Sequence, residues 1–398
     1  DLLNAVLTHC PQRHSPSPCP TSTALSAPTA STRTNLQALR NAARKETRAL
    51  AEERARHPFD DITTAPIDYL PKAWSQPDGT LQDTVYEAYD LQAIRIDGAA
   101  EHPTALVQST AMASVPPPVP TYRPILPKNL VQDGLLSAPQ LESVIYAGNA
   151  HETHLKGWFK RGEIEGQLMA AAEGDEGAFR LRKGWFLGDG TGCGKGRQVA
   201  GIILDNWLKG RRRAVWVSKS DKLIEDARRD WIALGGRESD IVPLSKFRQG
   251  SDIRLPEGIL FVTYATLRSA EREGKASRLD QVTSWLSDGF DGVIAFDESH
   301  AMANAAGEKS DRGDKKASQQ GLAGLRLQLA TPRARVFYVS ATGATSVHNL
   351  AYASRLGLWG QGPEYPFPSR ESFVSAMEAG GVAAMEVVAR DLKTLGLY

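Results

Sequence analysis

Short runs of apolar residues, many of them β-branched or aromatic, alternate with helical stretches from about residue 135 onward. Strands that are apolar along their whole length are typical of a parallel sheet that helices cover on both faces. The pattern therefore predicts an α/β domain over residues 135–398, wound around a mostly parallel sheet. The runs that predict strands are residues 184–188 (GWFLG), 214–218 (AVWVS), 258–264 (GILFVTY), 292–296 (GVIAF) and 335–340 (RVFYVS).

The first part of the chain lacks this pattern. Residues 1–34 include a tract rich in Pro, Ser and Thr with few large apolar groups, which predicts a flexible linker. Residues 35–56 combine strong helix formers with alternating charges and a thin apolar stripe, which predicts a solvated helix. Prolines recur up to residue 134 and predict an extended segment that lies against another part of the protein. We therefore divide the chain into residues 1–34, 35–134 and 135–398.

Composition excludes few classes of function. The 47 basic and 46 acidic residues give a net charge of +1, so any contact with nucleic acid would have to be local. The cysteines are Cys10, Cys19 and Cys193, too few for a disulfide framework, which favours a cytoplasmic location. No continuous run of about 18 apolar residues predicts a membrane span. Because the chain begins with Asp1, we expect it to be a fragment of a longer protein.

A glycine-rich turn, GDGTGCGKGRQ at residues 188–198, follows the first apolar run and precedes a helical pattern. In a phosphate-binding loop, glycines turn backbone N–H groups inward, a lysine reaches the outer phosphates, and the next helix points its positive end at them. Asp189 and Gly196 depart from the pattern G-x-x-x-x-G-K-[ST], at its first and last positions. The candidate nucleotide-binding residues are Asp189, Gly190, Thr191, Gly192, Cys193, Gly194, Lys195, Gly196 and Arg197.

Two further motifs end later apolar runs. Asp297 and Glu298 follow a predicted buried strand, where carboxylates are expected to face a crevice. In phosphoryl-transfer motors, an Asp at this position organises the magnesium shell and the next Glu polarises the attacking water. Ser340 and Thr342 end the last run, and small hydroxyl groups there can hydrogen-bond to the acidic motif and relay its state to a second lobe. Together with the glycine-rich turn, this order predicts an ATP site.

The order and spacing of the three motifs resemble the first RecA-like lobe of a superfamily-two helicase or translocase. More narrowly, GDGTGCGKGR (188–197), FDESHAMAN (296–304), YVSATGAT (338–345) and YASRLGLWGQG (352–362) resemble the Strawberry notch family, in particular its bacterial members. The phosphate loop of that family also reads Lys-Gly-Arg, so Gly196 departs only from the general pattern. The resemblance covers about residues 85–398. It implies a RecA-like P-loop NTPase lobe, preceded by a largely extended or disordered segment.

The resemblance also implies roles for single residues, with ATP and Mg²⁺ as cofactors. Lys195 would bind the outer phosphates, Asp297 the magnesium shell, and Glu298 would activate water. His300 would link the acidic motif to Ser340 and Thr342.

Two positions need a separate argument. Gln140 is placed like the glutamine that reads adenine in these motors, although a solvated glutamine at a helix start fits it equally well. For the missing hydroxyl of the loop we expect Thr191, or a water held by Asp297, to fill the place in the magnesium shell, because Mg²⁺ keeps several waters.

The resemblance implies a DNA-dependent ATPase that needs a second RecA-like lobe to supply an arginine to the ATP site. Only 56 residues follow Thr342, too few for another sheet domain, so we expect the second lobe outside this chain and hydrolysis by this lobe alone to be weak. The resemblance also implies an upstream methylase-like domain, because larger bacterial relatives often carry such a sequence. The alternative is a nucleotide-gated interaction module, transcriptional or regulatory, that binds ATP without translocating. Residues 210–213 (GRRR) are expected to form a solvated turn, and residues 307–316 a mobile loop.

Overall fold

The computed structural model describes residues 56–75, 86–163, 166–270, 274–303, 305, 317–341 and 350–398. The linker predicted over residues 1–34, the helix predicted over residues 35–56 except for its last residue, the loop 307–316 and Thr342 lie outside the described residues. The compact unit described below extends from Pro58 to Tyr398.

The lobe contains short strands in its first part and alternating strands and helices in the rest. The strands are β1 Thr64–Pro66, β2 Leu70–Pro71, β3 Tyr86–Ala88, β4 Ile94–Arg95, β5 Val107–Ser109, β6 Ile125–Pro127, β7 Trp158–Arg161, β8 Leu168–Ala171, β9 Trp185–Leu187, β10 Arg213–Ser218, β11 Ile241–Pro243, β12 Gly258–Thr263, β13 Val293–Phe296 and β14 Arg335–Val339. The α-helices are α1 Thr110–Ala113, α2 Lys128–Gln132, α3 Ala138–His151, α4 Lys195–Leu208, α5 Ile224–Ala233, α6 Tyr264–Leu267, α7 Arg278–Leu286, α8 Gln319–Ala330 and α9 Arg370–Thr394.

Six of these strands form one sheet in which all neighbours are parallel. Their order across the sheet is β11-β12-β10-β13-β14-β9, so β14 separates β9 from β13. Every residue of β12, β13 and β14 is buried, as expected for strands covered on both faces. The parallel sheet predicted from the apolar runs is confirmed, and each of those runs forms a strand in it.

The helices form two groups. Helices α3, α4 and α5 pack on one another, and α6, α7 and α8 pack on one another. The connections from β9 to β10 and from β10 to β11 cross the sheet in one direction, whereas those from β12 to β13 and from β13 to β14 cross in the opposite direction. Because such crossovers are right-handed, the two groups of helices cover opposite faces of the sheet.

The proline-rich part before residue 135 forms antiparallel pairs, β1 with β6, β2 with β4, and β3 with β5. Phe59, Ile67 and Ile94 from this part belong to the same hydrophobic core as the sheet. The extended segment therefore packs onto the lobe. The domain boundaries inferred from the sequence stay a prediction, but the core itself begins well before residue 135.

Helix α9 is 25 residues long and is interrupted at Gly381, whose φ of 61° and ψ of −144° are not helical. By length and composition it could cross a membrane, with a mean hydropathy of 1.3 in its most apolar window. Phe373, Met377 and Met385 are nevertheless buried in the core of the lobe. One face of the helix therefore packs on the core, while only 28% of its most apolar window is buried and Val382 and Val387 are exposed.

Arg355, within the YASRLGLWGQG motif, is a fully buried cation. Its guanidinium donates hydrogen bonds to five backbone carbonyls, including those of Gln328 at 2.6 Å and Thr331 at 2.8 Å at the end of α8. The carbonyls at a helix C-terminus carry partial negative charge, so they stabilise a cation there. Arg355 thus ties the end of α8 to β9 and β14, which explains part of this motif structurally.

The turn at residues 210–213 lies at the amino ends of the strands, because β10 begins at Arg213. Arg212 forms ion pairs with Asp60 at 2.6 Å and with Glu257 at 3.3 Å. Arg213 donates a hydrogen bond to the carbonyl of Trp285 at 2.5 Å. Arg212 and Arg213 therefore bind other residues of the lobe, and they lie at the end of the strands opposite to the glycine-rich loop.

Candidate functional site

The glycine-rich loop connects β9 to α4 at the carboxyl edge of the sheet. Strand β9 is fully buried, and α4 begins at Lys195 with Gly194 as its N-cap. Gly192 and Gly194 have φ angles of 91° and 69°, in the left-handed region that favours glycine. A Cβ atom at Gly190 or Gly192 would have no neighbour within 4 Å, so the loop has open space on that side. This strand, loop and helix geometry is that of a phosphate cradle.

Lys195 directs its ammonium group into this loop. Its Nζ donates hydrogen bonds to the carbonyl oxygens of Asp189 at 3.1 Å and Gly190 at 2.7 Å. The first turn of α4 presents backbone N–H groups at the same place, and its dipole favours an anion there. The position combines a fixed cation with a helix N-terminus, which suits the outer phosphates of a nucleotide.

Side chains behind the loop fix its shape. Gln198 donates hydrogen bonds through Nε2 to Asp189 Oδ2 at 2.9 Å and to the Cys193 carbonyl at 3.2 Å. Gln140 Nε2 donates to the same carbonyl at 3.3 Å, while Gln140 Oε1 accepts from the backbone N–H of Ser137 at 3.1 Å. Gln140 therefore contacts the loop, and its role in reading adenine stays a prediction. Gln198 ends the glycine-rich stretch, but the phosphate-loop pattern assigns no role to that position, so the sequence does not single it out.

Two residues of the loop have buried ionisable groups. Burial raises the pKa of the Asp189 carboxyl, and Gln198 and Lys195 oppose the rise. Burial also raises the pKa of the Cys193 thiol, and the nearby charge of Asp189 adds to the effect. Cys193 is half-buried, and its raised pKa makes the thiolate, the nucleophilic form, less populated. Thr191 is exposed within the loop, and its contact with magnesium stays a prediction.

Asp297 follows β13 and is held by several donors. Its Oδ2 accepts hydrogen bonds from Ser218 Oγ at 3.1 Å and Trp216 Nε1 at 3.4 Å, both on β10. Its Oδ1 accepts from the backbone N–H of Glu298 at 2.9 Å, and its carbonyl accepts from the hydroxyl of Tyr264 at 2.8 Å. Burial and the charge of Glu298 raise the pKa of Asp297 to about 6. The carboxylate therefore has a fixed orientation at the sheet edge.

The backbone of Glu298 is strained. Its φ of 49° and ψ of 44° lie in the left-handed region, which non-glycine residues seldom adopt. Strain of this kind is found at functional positions, where the surrounding structure enforces it. His300 Nδ1 lies 3.3 Å from Glu298 Oε2 and 3.4 Å from Ser340 Oγ. The structure thus places His300 between Glu298 of the acidic motif and Ser340, as expected of a residue that links the two. Thr342, the other predicted coupling residue, lies outside the described residues.

The loop and the acidic turn are separated by one strand. Ser340 at the end of β14 donates its backbone N–H to the carbonyl of Leu187 at the end of β9, at 3.0 Å. Two strand spacings make a gap of about 10 Å between the ends of β9 and β13. A phosphate group with a cation beside it fits a gap of that width.

The donors present also fit a magnesium–nucleotide complex. Among the described residues, no cluster of three or more His, Cys, Asp or Glu could hold a metal by itself. Mg²⁺ in phosphoryl-transfer sites is bound by one or two carboxylates, several waters and the phosphates of the substrate. Asp297 and Glu298 are carboxylates of this type and would hold the cation, and the loop would receive the phosphates.

Arg197, two residues after Lys195, contacts two neighbouring elements. Its Nη1 donates to the carbonyl of Leu135 at 3.1 Å, and its Nε lies 3.4 Å from Asp230 Oδ1 on α5. Both contacts are with other parts of the lobe, and the contact of Arg197 with nucleotide stays a prediction.

A cavity of about 280 Å³ adjoins the first half of the loop. Glu142 on α3 lies in its wall and accepts a hydrogen bond from the hydroxyl of Tyr89. Burial raises the pKa of Glu142 to about 7, and burial lowers the pKa of Lys393, in the same wall, to about 8. These three residues are far apart in the sequence, and no local signal connects them.

Comparison with known proteins agrees with this geometry. The family model for the P-loop containing NTP hydrolase pore-1 matches residues 101–398. Protein strawberry notch homolog 1 of Rattus norvegicus is 39% identical over 316 residues, which are 78% of this chain and 23% of that protein. Protein strawberry notch homolog 2 of Mus musculus is 41% identical over 300 residues, 75% of this chain and 20% of that protein. Protein FORGETTER 1 of Arabidopsis thaliana is 35% identical over 313 residues, 78% of this chain and 22% of that protein.

The chain thus spans between a fifth and a quarter of the length of these relatives. Among solved structures, the SWI2/SNF2 ATPase core of Sulfolobus solfataricus in complex with dsDNA matches 52% of this chain and 38% of that chain, with a TM-score of 0.33 and 15% identity. The sheet, the glycine-rich loop and the family match agree on a P-loop NTPase lobe. The chain belongs to the P-loop containing NTP hydrolase pore-1 family, and within it to the Strawberry notch proteins.

Proposed function

We propose that this chain is the lobe that binds ATP and Mg²⁺ in a Strawberry notch-like, DNA-dependent ATPase. The observation that carries the proposal is the convergence of three strand ends at one edge of the sheet. The loop after β9 supplies Lys195, the turn after β13 supplies Asp297 and Glu298, and β14 between them ends in Ser340. Nucleotide sites of open parallel sheets lie outside the carboxyl ends of the strands.

Each residue then has a defined task. The Lys195 ammonium and the N–H groups of α4 bind and orient the outer phosphates. Asp297, whose carboxylate accepts a hydrogen bond from Ser218, would hold the water shell of the cation. The bound cation would neutralise charge on the phosphoryl group that is transferred. Glu298 orients a water molecule and takes its proton as the oxygen attacks the γ-phosphorus and the bond to the β-phosphate oxygen breaks. The products are ADP and inorganic phosphate.

We expect hydrolysis by this lobe alone to be slow. Phosphoryl-transfer sites of this type use an arginine from another domain to stabilise the transition state. The relatives are four to five times longer than the matched region, so a second lobe in the complete protein is part of the proposal.

Contact with DNA is proposed for the same edge of the sheet. Lys219 and Lys222 follow β10, and Arg268 follows α6 after β12; all three side chains are exposed. Basic side chains at successive strand ends can contact neighbouring phosphates of a nucleic-acid backbone. Strand β13 separates these side chains from the phosphate loop after β9. A nucleic-acid strand bound to them would therefore leave the nucleotide site accessible.

The nucleotide site is tested by equilibrium binding of a fluorescent ATP analogue to this chain, with and without Mg²⁺. Lys195→Ala should abolish binding, because it removes the cation that faces the phosphates, whereas Lys222→Ala is a matched control that should bind normally. Wild-type protein that binds no nucleotide under either condition, or a Lys195→Ala variant that binds as well as wild type, would refute the site.

DNA dependence is tested on the complete protein. Duplex and single-stranded DNA should increase ATP turnover, and a Lys219→Glu, Lys222→Glu variant should lose that increase while it still binds ATP. ATP binding with no stimulation by any DNA would favour a nucleotide-gated interaction module instead.

A further inference from the structure

Gly196 occupies the position at which phosphate loops carry the Ser or Thr hydroxyl that binds Mg²⁺. The space beside it is already filled. A Cβ atom at Gly196 would collide with Oδ2 of Asp230 and would lie 3.2 Å from its Cγ, whereas the Cβ of Asp230 would be 3.9 Å away. The carboxylate of Asp230 thus lies beside the position that the missing side chain would occupy.

We propose that the Asp230 carboxylate replaces the missing hydroxyl in the coordination shell of the magnesium ion that accompanies the nucleotide, directly or through one of its waters. The inference rests on the proposed nucleotide site and assigns a further ligand within it. It is an alternative to the two that the sequence offered for this role, Thr191 or a water held by Asp297.

The placement of Asp230 follows from helix packing. Asp230 lies on α5, which packs along α4, the helix that begins at Lys195. Trp231, the next residue, is fully buried against Trp207 of α4, with ring centroids 5.5 Å apart. The two indole rings fix the distance between the helices, and the absence of a side chain at Gly196 lets the carboxylate approach the first turn of α4.

One carboxylate oxygen of Asp230, Oδ1, forms an ion pair. Oδ1 lies 3.4 Å from Arg197 Nε, and the Asp230 side chain retains 15% of its exposure. Arg197 is itself anchored by its hydrogen bond to the Leu135 carbonyl. This pair orients the carboxylate so that Oδ2 faces Gly196. A hard oxygen anion next to the first turn of the loop helix is a ligand type that Mg²⁺ prefers.

A double substitution provides the sharpest test. In the single variant Gly196→Ser, the new side chain collides with the Asp230 carboxylate. In the double variant Gly196→Ser with Asp230→Ala, only the β-carbon of residue 230 remains, and it lies at an ordinary contact distance from the new Cβ atom at position 196. The double variant therefore restores the usual loop hydroxyl in the space that the carboxylate leaves.

The first measurement is the ratio of the ATP-analogue affinity with Mg²⁺ to the affinity without it, and it is repeated with Mn²⁺. The second measurement follows the binding of Mn²⁺ itself by electron paramagnetic resonance. Asp230→Asn should lower this ratio about tenfold or more, the usual effect of losing a ligand or its support, with little change in metal-free affinity. The double variant should recover most of the ratio. Asp226→Asn, one turn earlier on α5, is the matched control and should keep the wild-type ratio.

The outcomes separate the two proposals. Wild-type protein that binds no nucleotide overturns the site and this inference together. If wild-type protein binds nucleotide and Asp230→Asn has the same affinity ratio as wild type, the inference alone is overturned. A lower ratio in Thr191→Ala would then assign the role to Thr191. Melting curves of each variant show whether a lost ratio reflects unfolding, and the recovery in the double variant cannot come from damage to the fold.

Discussion

The buried carboxyl of Glu142 allows a quantitative prediction of how stability depends on pH. Burial raises its pKa from 4.5 to about 7. Because the folded state holds the proton more tightly than the unfolded chain, the stability linked to this group is full below pH 4.5 and is lost as the pH rises through about 7. Ionising such a group costs at most about 3.5 kcal/mol of folding free energy, which is the pKa difference multiplied by about 1.4 kcal/mol, and about 3 kcal/mol of this is reached at pH 8.

Glu142→Gln removes this cost and keeps an oxygen that accepts the Tyr89 hydrogen bond. We expect the variant to gain less than about 1 kcal/mol relative to wild type at pH 5 and up to about 3 kcal/mol at pH 8. The larger figure is a ceiling, because the Lys393 ammonium loses a favourable neighbour when the carboxylate is removed. Urea unfolding followed by tryptophan fluorescence at several pH values between 5 and 8 measures the difference directly.

A stability difference that stays constant within about 0.5 kcal/mol over this pH range would refute the reasoning. Tyr89→Phe is the complementary control, since it removes the hydrogen bond to the carboxylate. It should destabilise the protein more at pH 8 than at pH 5, and this pH dependence should disappear when Glu142→Gln is also present.

Two further predictions concern the core and need only equilibrium unfolding. Arg355→Met should lower the free energy of unfolding by about 3–5 kcal/mol, because the backbone carbonyls bound by the guanidinium lose their donor; an unchanged urea midpoint would contradict this. Gly184→Ala should cost about 1–3 kcal/mol, since a Cβ atom there would lie 2.7 Å from the Cβ of Arg355 and 3.0 Å from the Val336 carbonyl. A melting temperature equal to that of wild type would show that the neighbours move aside easily.

The central sheet could be predicted because its signal is local. Strands β12, β13 and β14 are buried on both faces, so each forms a continuous apolar run in the sequence. The first part of the lobe gives no such signal. Its strands are two or three residues long, and Phe59 and Ile67 join the core only because distant elements form their surroundings. Residues like these are identified by tertiary packing and not by periodicity.

The same distinction applies to the site. Lys195, Asp297 and Glu298 lie in motifs whose spacing has a chemical meaning, so the sequence predicts them as site residues. Ser218 and Asp230 lie outside any motif. Their positions depend on which strand neighbours β13 and on how closely α5 packs along α4, and neither can be derived from one sequence.

The contacts of Lys195 have a consequence for the rate of nucleotide binding. Its ammonium is bonded to the carbonyl oxygens of Asp189 and Gly190, so an arriving phosphate has to exchange with two groups of the loop itself. This exchange of hydrogen bonds is a step distinct from the first encounter with the nucleotide. Association should therefore show two phases in stopped-flow fluorescence. A fast encounter would depend on nucleotide concentration, and a slower rearrangement would reach a constant rate at saturation.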